Sequence, residues 1–505
     1  MTGNNIYELF RSRFPADSTA VFLEHDRGEL LYSQIEEETG LLAGLFKQLG
    51  VNKGARVIMQ VDKSPEAILL YLACLRVGAV FIPLNTAYTA NEVSYFMGDA
   101  RPHLLVCRPQ DYDSLLPHVK DLNVPHVMTL DNQGCGSLIE AMKDASSCAD
   151  VEVCEGSDLA SIIYTSGTTG RSKGAMLSHD NLSSNAKVLH KYWQWEEGDV
   201  LLHALPIFHV HGLFVALHCA LLNGSKVIFM PKFELTAVKN NLLRATVMMG
   251  VPTFYVRLLE DSEFTKEMCS NIRLFVAGSA PLLSETFEEF EKVSGHKILE
   301  RYGMTEAGMV ISNPYDGARV PGTVGYPLPG VAARVVDEEG VEVSRGEVGG
   351  LDIKGPNVFV GYWCMPEKTA EEFREDGFFI TGDMATMDVD GRISIVGRAK
   401  DLVISGGYNV YPKEVEIMID EIEGVKESAV IGVKHPDFGE GVTAIIVKDR
   451  DVSLAEQNVI EFMAGKIARF KQPQKIIFVD ELPRNAMGKV QKKELRDIYS
   501  EIYSK

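Results

Sequence analysis

The sequence lacks the features of a membrane protein, a disulfide-rich secreted protein and a nucleic-acid-binding protein. Its longest nearly apolar run, Leu213 to Leu222, contains His218 and is far shorter than the roughly 20 residues that span a bilayer. The eight cysteines are scattered, with neither a C-x-x-C pair nor a metal-site spacing, which indicates a reducing compartment. The 50 Lys and Arg against 70 Asp and Glu give a net charge of -20, which repels nucleic acid and anionic membranes.

The N-terminal segment, MTGNNIYELF, also lacks the basic start and apolar run of a signal peptide, and it has too little arginine for a transit peptide. We therefore expect a cytoplasmic protein that acts on small molecules and binds neither nucleic acid nor membrane. As to oligomeric state, both a monomer and a homodimer remain open.

The first half of the chain has the pattern of an α/β layered fold. Ser64 caps a predicted helix that runs to about Val77, and residues 79–84 form a predicted buried strand. Further strands are predicted at residues 160–164 and 273–278, each followed by a turn of small residues. In open α/β sheets, ligands bind where such strands end.

The second half changes in texture. From about residue 320, short strands alternate with glycine turns, as at residues 349–355 and 391–397, which predicts a β-rich subdomain. Beyond Lys400, a strand at 428–433 and an amphipathic helix at 411–419 predict a mixed unit.

The predicted fold class is therefore α/β with two unequal parts. The large N-terminal region, residues 1–399, contains two α/β layered subdomains and the β-rich subdomain. The small C-terminal domain, residues 400–505, is α+β and mobile.

The strongest local motif is YTSGTTGRSKG, from Tyr164 to Gly174, which follows the predicted strand at 160–164. Backbone N–H groups and hydroxyls in such a loop can surround phosphate oxygens, and Lys173 adds a positive charge. The P-loop pattern does not fit, because Lys173 follows Ser172 rather than glycine. An ordinary surface turn is the alternative.

Histidines cluster in the segment HALPIFHVHG, which contains His203, His209 and His211, with His218 nearby. A zinc site is one interpretation, but no carboxylate or cysteine lies at a convincing ligand spacing. His209 and His211 alternate as residues on a strand do.

The loop at 164–174 resembles the phosphate loop of the adenylate-forming superfamily, which comprises acyl-CoA synthetases, luciferases and peptide-synthetase adenylation domains. Four further superfamily motifs follow in order: YGMTE at 302–306, TGD at 381–383, GRAKD at 397–401 and PRNAMGK at 483–489. The resemblance covers essentially the whole chain, and it implies ATP, Mg²⁺ and coenzyme A as cofactor and co-substrates.

The resemblance also implies residue roles. It assigns the nucleotide to Thr165, Ser166, Gly167, Thr168, Thr169, Gly170, Lys173, Ser279, Ala280, Tyr302, Gly303, Thr305, Asp383, Arg398 and Lys489. In it Asp383 accepts hydrogen bonds from the ribose, Tyr302 stacks on the adenine, and Glu306 holds Mg²⁺. The implied catalytic residues are Lys489, Glu306, Thr305 and His209.

The resemblance places a hinge at Lys400. Gly406 and Gly407 follow the hinge and belong to a loop that lines the coenzyme A side in relatives. A glycine pair allows a backbone to approach a ligand closely, although an ordinary turn would also use one.

Within the superfamily the chain most resembles the branch that activates malonate. Arg301 precedes the YGMTE motif, where many relatives have a small residue, and a cation there can pair with the distal carboxylate of a dicarboxylic acid. Without such a partner, burying that carboxylate would cost several kcal/mol. Arg257 is the second candidate clamp, His209 shapes the acyl pocket, and Met309 limits the substituent on the middle carbon.

One alternative is that Arg301 pairs with a structural glutamate and that the acid is a plain short fatty acid. Another short carboxylic acid, either methylmalonate or an acetate-like acid, also stays open. Other classes are disfavoured. A carrier-loading adenylation domain would be followed by a carrier, and none follows Lys505; a luciferase would need a bulky aromatic pocket. An inactive binding protein would not retain every charged motif residue. We expect an ATP-dependent malonate–CoA ligase that forms malonyl-AMP and then malonyl-CoA.

Overall fold

The computed structural model describes residues 4–165, 172–406, 408–449, 454–464, 466–485 and 488–504. Five of the residues predicted to bind the phosphates, Ser166 to Gly170, lie outside the described residues, as does Gly407 of the predicted coenzyme A loop.

The described residues form the following strands, in chain order: β1 Val21–His25, β2 Gly28–Leu31, β3 Arg56–Gln60, β4 Val80–Pro83, β5 Leu104–Cys107, β6 His126–Thr129, β7 Leu159–Thr165, β8 Lys173–Ser178, β9 Val200–His203, β10 Lys226–Phe229, β11 Val247–Gly250, β12 Leu274–Ala277, β13 Leu299–Met304, β14 Gly308–Ser312, β15 Tyr326–Pro327, β16 Ala332–Val336, β17 Gly349–Lys354, β18 Gly361–Tyr362, β19 Phe379–Met387, β20 Ile393–Arg398, β21 Val403–Ser405, β22 Tyr408–Val410, β23 Val425–His435, β24 Gly439–Lys448 and β25 Lys475–Val479.

The α-helices of the same residues are α1 Ile6–Arg11, α2 Tyr32–Gln48, α3 Pro65–Arg76, α4 Ala90–Ala100, α5 Tyr112–Asp121, α6 Ser137–Lys143, α7 His179–Tyr192, α8 His218–Asn223, α9 Leu235–Leu242, α10 Pro252–Leu259, α11 Ser284–Ser294, α12 Pro366–Glu371, α13 Pro412–Asp420, α14 Glu456–Met463 and α15 Lys492–Ile498. Short 3-10 turns lie at Pro109–Asp111, Glu267–Cys269, Ala399–Asp401 and Arg469–Lys471, and a π-helical segment at His211–Leu217.

Two large sheets carry the first part of the chain. One has the order β15-β14-β13-β12-β11-β9-β10-β1-β2 and the other β18-β8-β7-β4-β3-β5-β6. The middle strands of both are parallel. Antiparallel strands close both edges of the first sheet and the β18 edge of the second, whose other edge strand, β6, is parallel to β5. This is the predicted pair of α/β layered subdomains.

The β-rich subdomain is an antiparallel sheet, β16-β17-β19-β20, which ends at Arg398. The fourth sheet has the order β22-β21-β24-β23, with β25 added parallel to β24. Its buried side chains form two hydrophobic clusters drawn from residue 403 onward, so this unit has its own core. The predicted fold class is confirmed, whereas the boundary between residues 399 and 400 stays a prediction.

Local sequence signals explain several elements. Ser64 caps α3, because its hydroxyl accepts a hydrogen bond from the Ala67 N–H at 3.2 Å and Pro65 occupies the first helical position. The strands predicted at 79–84, 160–164 and 273–278 are β4, β7 and β12.

The strand-like alternation of His209 and His211 was a wrong interpretation. His211 begins the π-helical segment that continues into α8, and the apolar run after it is buried as a helix. A short apolar run does not distinguish a buried helix from a strand by its periodicity.

The carboxyl ends of the parallel strands of the two large sheets meet. Lys63, just after β3, places its ammonium 2.7 Å from Nδ1 of His203, the last residue of β9. The predicted strand-end residues therefore face one region between the sheets.

No helix among the described residues is long and apolar enough to cross a membrane. The eight cysteines are free thiols.

Candidate active site

Asp383 is held between a cation and a phenol at one wall of the site. It lies opposite Arg398 in the register of β19 and β20, and Arg398 Nε lies 2.7 Å from Oδ1. The Tyr302 hydroxyl lies 2.5 Å from Oδ2, and the backbone N–H of Asp383 donates to Thr381 Oγ1 at 3.0 Å. Burial and the Asp383 charge raise the pKa of Tyr302 well above its usual value, so the phenol stays a donor.

The phosphate side of the site combines Lys173, Glu306, Tyr362 and Glu372. Lys173 Nζ lies 2.9 Å from Glu372 Oε1 and 4.0 Å from the centre of the Tyr362 ring. The Tyr362 hydroxyl lies 2.6 Å from Glu372 Oε2 and 3.1 Å from Glu306 Oε1. The Tyr362 hydroxyl therefore connects Glu306, the predicted Mg²⁺ ligand, to Glu372, which holds Lys173.

Glu306 has the environment of a cation-binding carboxylate. It is buried, and its burial raises the pKa of the carboxyl. Among the described residues Tyr362 is its one side-chain hydrogen-bond donor, which leaves carboxylate capacity for a cation. A hard cation such as Mg²⁺ takes oxygen ligands of this kind, together with phosphate oxygens. The donor set fits the predicted Mg²⁺.

The remaining predicted nucleotide residues lie along the same strand ends. Thr165 ends β7, and Ser279 and Ala280 follow β12. Gly303 lies in β13 and Thr305 in the turn that follows it. Thr165 is the last described residue before the segment 166–171, which lies outside the described residues.

Arg301 is a buried cation without a carboxylate partner among the described residues. It is 3% exposed, and its Nε and Nη2 have no hydrogen-bond partner there. Burial lowers the pKa of the guanidinium to about 9. The group lies against Gly278, where an added Cβ would come within 2.2 Å of Arg301 Cζ.

Arg301 does not pair with its neighbour Glu300, since successive strand residues point to opposite faces. Glu300 accepts a hydrogen bond from the Leu282 N–H at 3.1 Å, and burial raises its pKa to about 7. Among the described residues, Arg301 therefore forms no ion pair with a structural glutamate, contrary to that interpretation.

Two histidines lie beside Arg301. The positive charge of Arg301 is among the causes that lower the pKa of both His209 and His211, after burial itself. For His209 the pKa falls to about 4, so it is neutral near pH 7. His211 Nδ1 lies 3.2 Å from the Ser279 hydroxyl, and its buried Nε2 has no partner among the described residues.

Met309 is buried and packs on the site strand. An added Cβ on Gly303 would lie 2.3 Å from Met309 Cε, so the thioether covers this glycine. The structure thus brings Arg301, His209 and Met309 together around β13, and their role in an acyl pocket stays a prediction.

The structure does not bring Arg257 to this pocket. Tyr255 lies on the buried side of α10, where its hydroxyl donates to the Val276 carbonyl at 2.6 Å. Burial raises the pKa of Tyr255, and the positive charge of Arg301 acts in the opposite direction. Arg257 lies two positions further along α10 and is exposed, with its guanidinium 5.8 Å from the centre of the Phe233 ring. Residues two apart on a helix point in different directions.

Lys489 reaches the site from the small unit. The residue as a whole is exposed, but its ammonium lies close to the site. Burial and the positive charges of Arg398 and Lys400 lower the pKa of Lys489, whereas the negative charge of Asp383 raises it. The Lys489 charge also contributes to the lowered pKa of His209.

The predicted hinge residue Lys400 is exposed in the 3-10 turn that connects β20 to β21. Gly406 is exposed at the end of β21, and its N–H donates to the Phe438 carbonyl at 2.8 Å. It does not contact the pocket residues in this arrangement.

Sequence reasoning missed Tyr362, Glu372 and His211. The pairing of β18 with β8 brings Tyr362 to the strand of Lys173, more than 180 positions away in the chain. Tyr362 reaches Glu306 because the nearby Phe359 N–H donates to the Glu306 carbonyl at 2.7 Å. No local pattern marks Tyr362 or Glu372, since each acts through a partner distant in the chain. His211 was visible in the histidine cluster, but its pairing with Ser279 depends on the helical path of residues 211–217.

Two family models match the chain. A family model described as AMP-binding enzyme matches residues 9–363, and one described as AMP-binding enzyme C-terminal domain matches residues 414–489. The chain is 35% identical to a malonate–CoA ligase of Arabidopsis thaliana, over 97% of this chain and 89% of that protein. It is 32% identical to a long-chain-fatty-acid–CoA ligase of Bacillus subtilis, over 96% and 92%.

Among solved structures, ATP-bound MatB from Rhodopseudomonas palustris is 51% identical, with a TM-score of 0.97 over 99% of this chain and 100% of that chain. Apo MatB has the same identity and coverage but a TM-score of 0.85. The arrangement of this chain is therefore closer to the ATP-bound form.

Proposed function

The chain belongs to the AMP-binding enzyme family, and we propose that it is an AMP-forming acyl-CoA synthetase that ligates malonate to coenzyme A. In the first step a malonate carboxylate attacks the α-phosphate of ATP, which forms malonyl-AMP and releases pyrophosphate. In the second step the thiol of coenzyme A attacks the acyl carbon, which forms malonyl-CoA and releases AMP. The substrates are small molecules.

The observation that carries the choice of acid is the unpaired guanidinium of Arg301 beside His209 and Met309. A buried cation without a partner is costly, and a substrate with a second carboxylate supplies that partner. A monocarboxylic acid would leave Arg301 unpaired. The similarity to malonate–CoA ligases supports the same choice, whereas the similarity to a long-chain-fatty-acid–CoA ligase is lower.

The nucleotide would be held by the wall at β19 and β20. The two carboxyl oxygens of Asp383 can accept hydrogen bonds from the two ribose hydroxyls, and Arg398 fixes the orientation of this group. Tyr302 keeps the carboxylate in place through its hydroxyl and leaves a ring face for the adenine. Lys173 would place a positive charge beside the phosphates.

Glu306 would hold Mg²⁺, which when bound neutralises the charge of the triphosphate and so makes pyrophosphate a better leaving group. Thr305 lies beside Glu306 in the turn after β13.

Lys489 would lie between the malonate carboxylate and the α-phosphate, two anions that repel one another. A cation there stabilises the transition state more than the separated reactants. The electrostatic coupling of Lys489 to Asp383, Arg398 and His209 supports this position, as does the closer likeness to the ATP-bound form of MatB.

A substrate panel tests the proposal. Pyrophosphate release would be measured with ATP and each of acetate, malonate, methylmalonate, succinate and benzoate, and thioester formation would then be measured with coenzyme A added. We expect malonate to have the highest kcat/KM and acetate and benzoate the lowest. Preference for a monocarboxylic acid would contradict the assignment of malonate, and absence of pyrophosphate release with every acid would contradict the enzyme class.

A further inference from the structure

We propose that Glu372 and Tyr362 are positioning residues that keep Lys173 and Glu306 apart, so that both remain available to MgATP. The inference rests on the proposed function, because it concerns the same phosphate and metal site. Neither residue belongs to the motifs that identified that site. Each is proposed to act through the lysine or the carboxylate that it holds.

Glu372 is the centre of a small charged cluster. Its Oε1 lies 2.9 Å from Lys173 Nζ and 3.2 Å from Lys368 Nζ, and its Oε2 accepts from the Tyr362 hydroxyl at 2.6 Å. Both oxygens are therefore engaged. Glu372 is the C-cap residue of α12, and its backbone N–H bonds to carbonyls of that helix, which anchors its backbone.

Tyr362 fixes the other side of the cluster. Its ring lies 4.0 Å from the Lys173 ammonium, a distance at which the ring face attracts a cation. Its hydroxyl is within reach of both Glu372 and Glu306. The pairing of β18 with β8 holds Tyr362 opposite Ala175, two residues after Lys173.

Lys173 and Glu306 are close enough to influence each other electrostatically but form no ion pair among the described residues. If Glu372 did not hold Lys173, the ammonium would be free to pair with Glu306. Such a pair would neutralise the carboxylate that Mg²⁺ requires and the cation that the phosphates require. Glu372 and Tyr362 thus prevent two groups of the same site from pairing with each other.

The test is the affinity for MgATP without malonate, measured by titration calorimetry at several Mg²⁺ concentrations. No reaction occurs under these conditions, so the readout does not depend on turnover. The variants are Glu372→Gln, which removes the charge that holds Lys173, and Tyr362→Phe, which removes the hydroxyl alone. Glu371→Gln is the matched control, because Glu371 is the exposed neighbour that contacts only Lys368 among the described residues.

We expect Glu372→Gln to weaken MgATP binding on the order of 10-fold, the loss typical when a residue that orients a metal ligand is removed. Tyr362→Phe should weaken it in the same direction, and Glu371→Gln should bind like wild type. The Glu372→Gln loss should shrink as Mg²⁺ rises, because metal and lysine would compete for one carboxylate. Circular dichroism on each variant checks its fold, and Tyr362→Phe carries the test if Glu372→Gln is unfolded.

Two results would overturn the inference while leaving the proposed function intact. One is wild-type affinity in both Glu372→Gln and Tyr362→Phe, and the other is a loss that does not change with Mg²⁺. A wild-type protein that fails to bind MgATP would instead overturn the proposed function, and this inference with it.

Discussion

Asp383 and Arg398 face each other across β19 and β20, and Arg398 Nε lies 2.7 Å from Asp383 Oδ1. The register of one antiparallel pair thus brings together two motifs, TGD and GRAKD, that are separate in the sequence. Because Tyr302 binds the other oxygen, the Asp383 carboxylate is fixed before a ligand arrives. Such preorganisation lowers the entropic cost of binding.

Asp383→Asn should weaken ATP binding, because the amide cannot accept two hydrogen bonds with the strength of a carboxylate. Hydrogen bonds to a charged group contribute about 1.5–3 kcal/mol, so the KM for ATP should rise on the order of 10-fold or more. Pyrophosphate release at varied ATP measures the change. Asp390→Asn, in the exposed turn between the same two strands, is the control and should leave the KM unchanged. An unchanged KM in Asp383→Asn would remove this residue from the nucleotide site.

Arg301→Ala should reduce kcat/KM for malonate by more than 100-fold, because removing one partner of a buried ion pair costs about 3 kcal/mol or more. Acetate should be affected much less, since it has no second carboxylate. Initial rates of pyrophosphate release with both acids measure the difference. Arg257→Ala is the matched control, and its exposed position predicts little effect on either acid. Equal losses for the two acids would assign Arg301 a structural role.

Glu300→Gln should change the pH dependence of stability. Burial raises the pKa of Glu300 to about 7 in the folded protein, above the ordinary value of 4.5. Below pH 4.5 the carboxyl is mostly protonated in both the folded and the unfolded protein, so folding does not bury a charge there. Between 4.5 and about 7 the folded protein binds more protons than the unfolded chain, so stability falls as the pH rises.

Glutamine stays neutral, so the variant should gain stability relative to wild type between pH 5 and pH 8. The gain is on the order of 3 kcal/mol at most, from 1.36 kcal/mol for each pKa unit. Urea unfolding of both proteins at pH 5 and pH 8 measures it. A difference between the two proteins that is the same at both pH values would contradict the shifted pKa.

The sequence predicted the parts of the site that are encoded in contiguous motifs. Ser64 with Pro65 marked the start of α3, and the small residues after residues 160–164 and 273–278 marked the strand ends where the site lies. Long-range pairing was not visible. Tyr362 meets Lys173 through the pairing of β18 with β8, and it meets Glu306 through the backbone hydrogen bond from Phe359 to the Glu306 carbonyl. Arg257 was placed in the pocket because its sequence position alone does not reveal which side of α10 it occupies.

Periodicity misled the interpretation at His209 and His211. The apolar residues from 213 onward are buried all round, so the segment has no polar face to distinguish a helix from a strand. The helical conformation of residues 211–217 matters for the site, because it lets His211 approach the Ser279 hydroxyl.

Lys489→Ala should separate the two half-reactions. The ammonium is coupled to Asp383, Arg398 and His209 in this arrangement, so it is available to the step in which a carboxylate approaches the α-phosphate. Removing a preorganised charge at a developing transition state costs on the order of 100-fold or more in rate. Formation of malonyl-AMP from malonate and ATP should therefore be nearly abolished.

The second half-reaction has no such requirement. A thiol with a pKa of about 8.5 supplies some thiolate at neutral pH, and AMP is already a good leaving group. Rotation of the small unit about Lys400 would remove Lys489 and present the Gly406 loop to the thiol, so thioester formation from presynthesised malonyl-AMP and coenzyme A should stay largely intact in Lys489→Ala. Lys493→Ala, at an exposed lysine of the same C-terminal segment, is the control and should keep wild-type rates in both assays. Loss of both half-reactions in Lys489→Ala would mean that the substitution damages the small unit. Wild-type rates in both assays would mean that Lys489 is a solvated surface lysine. Either result would contradict the proposed division of the two half-reactions.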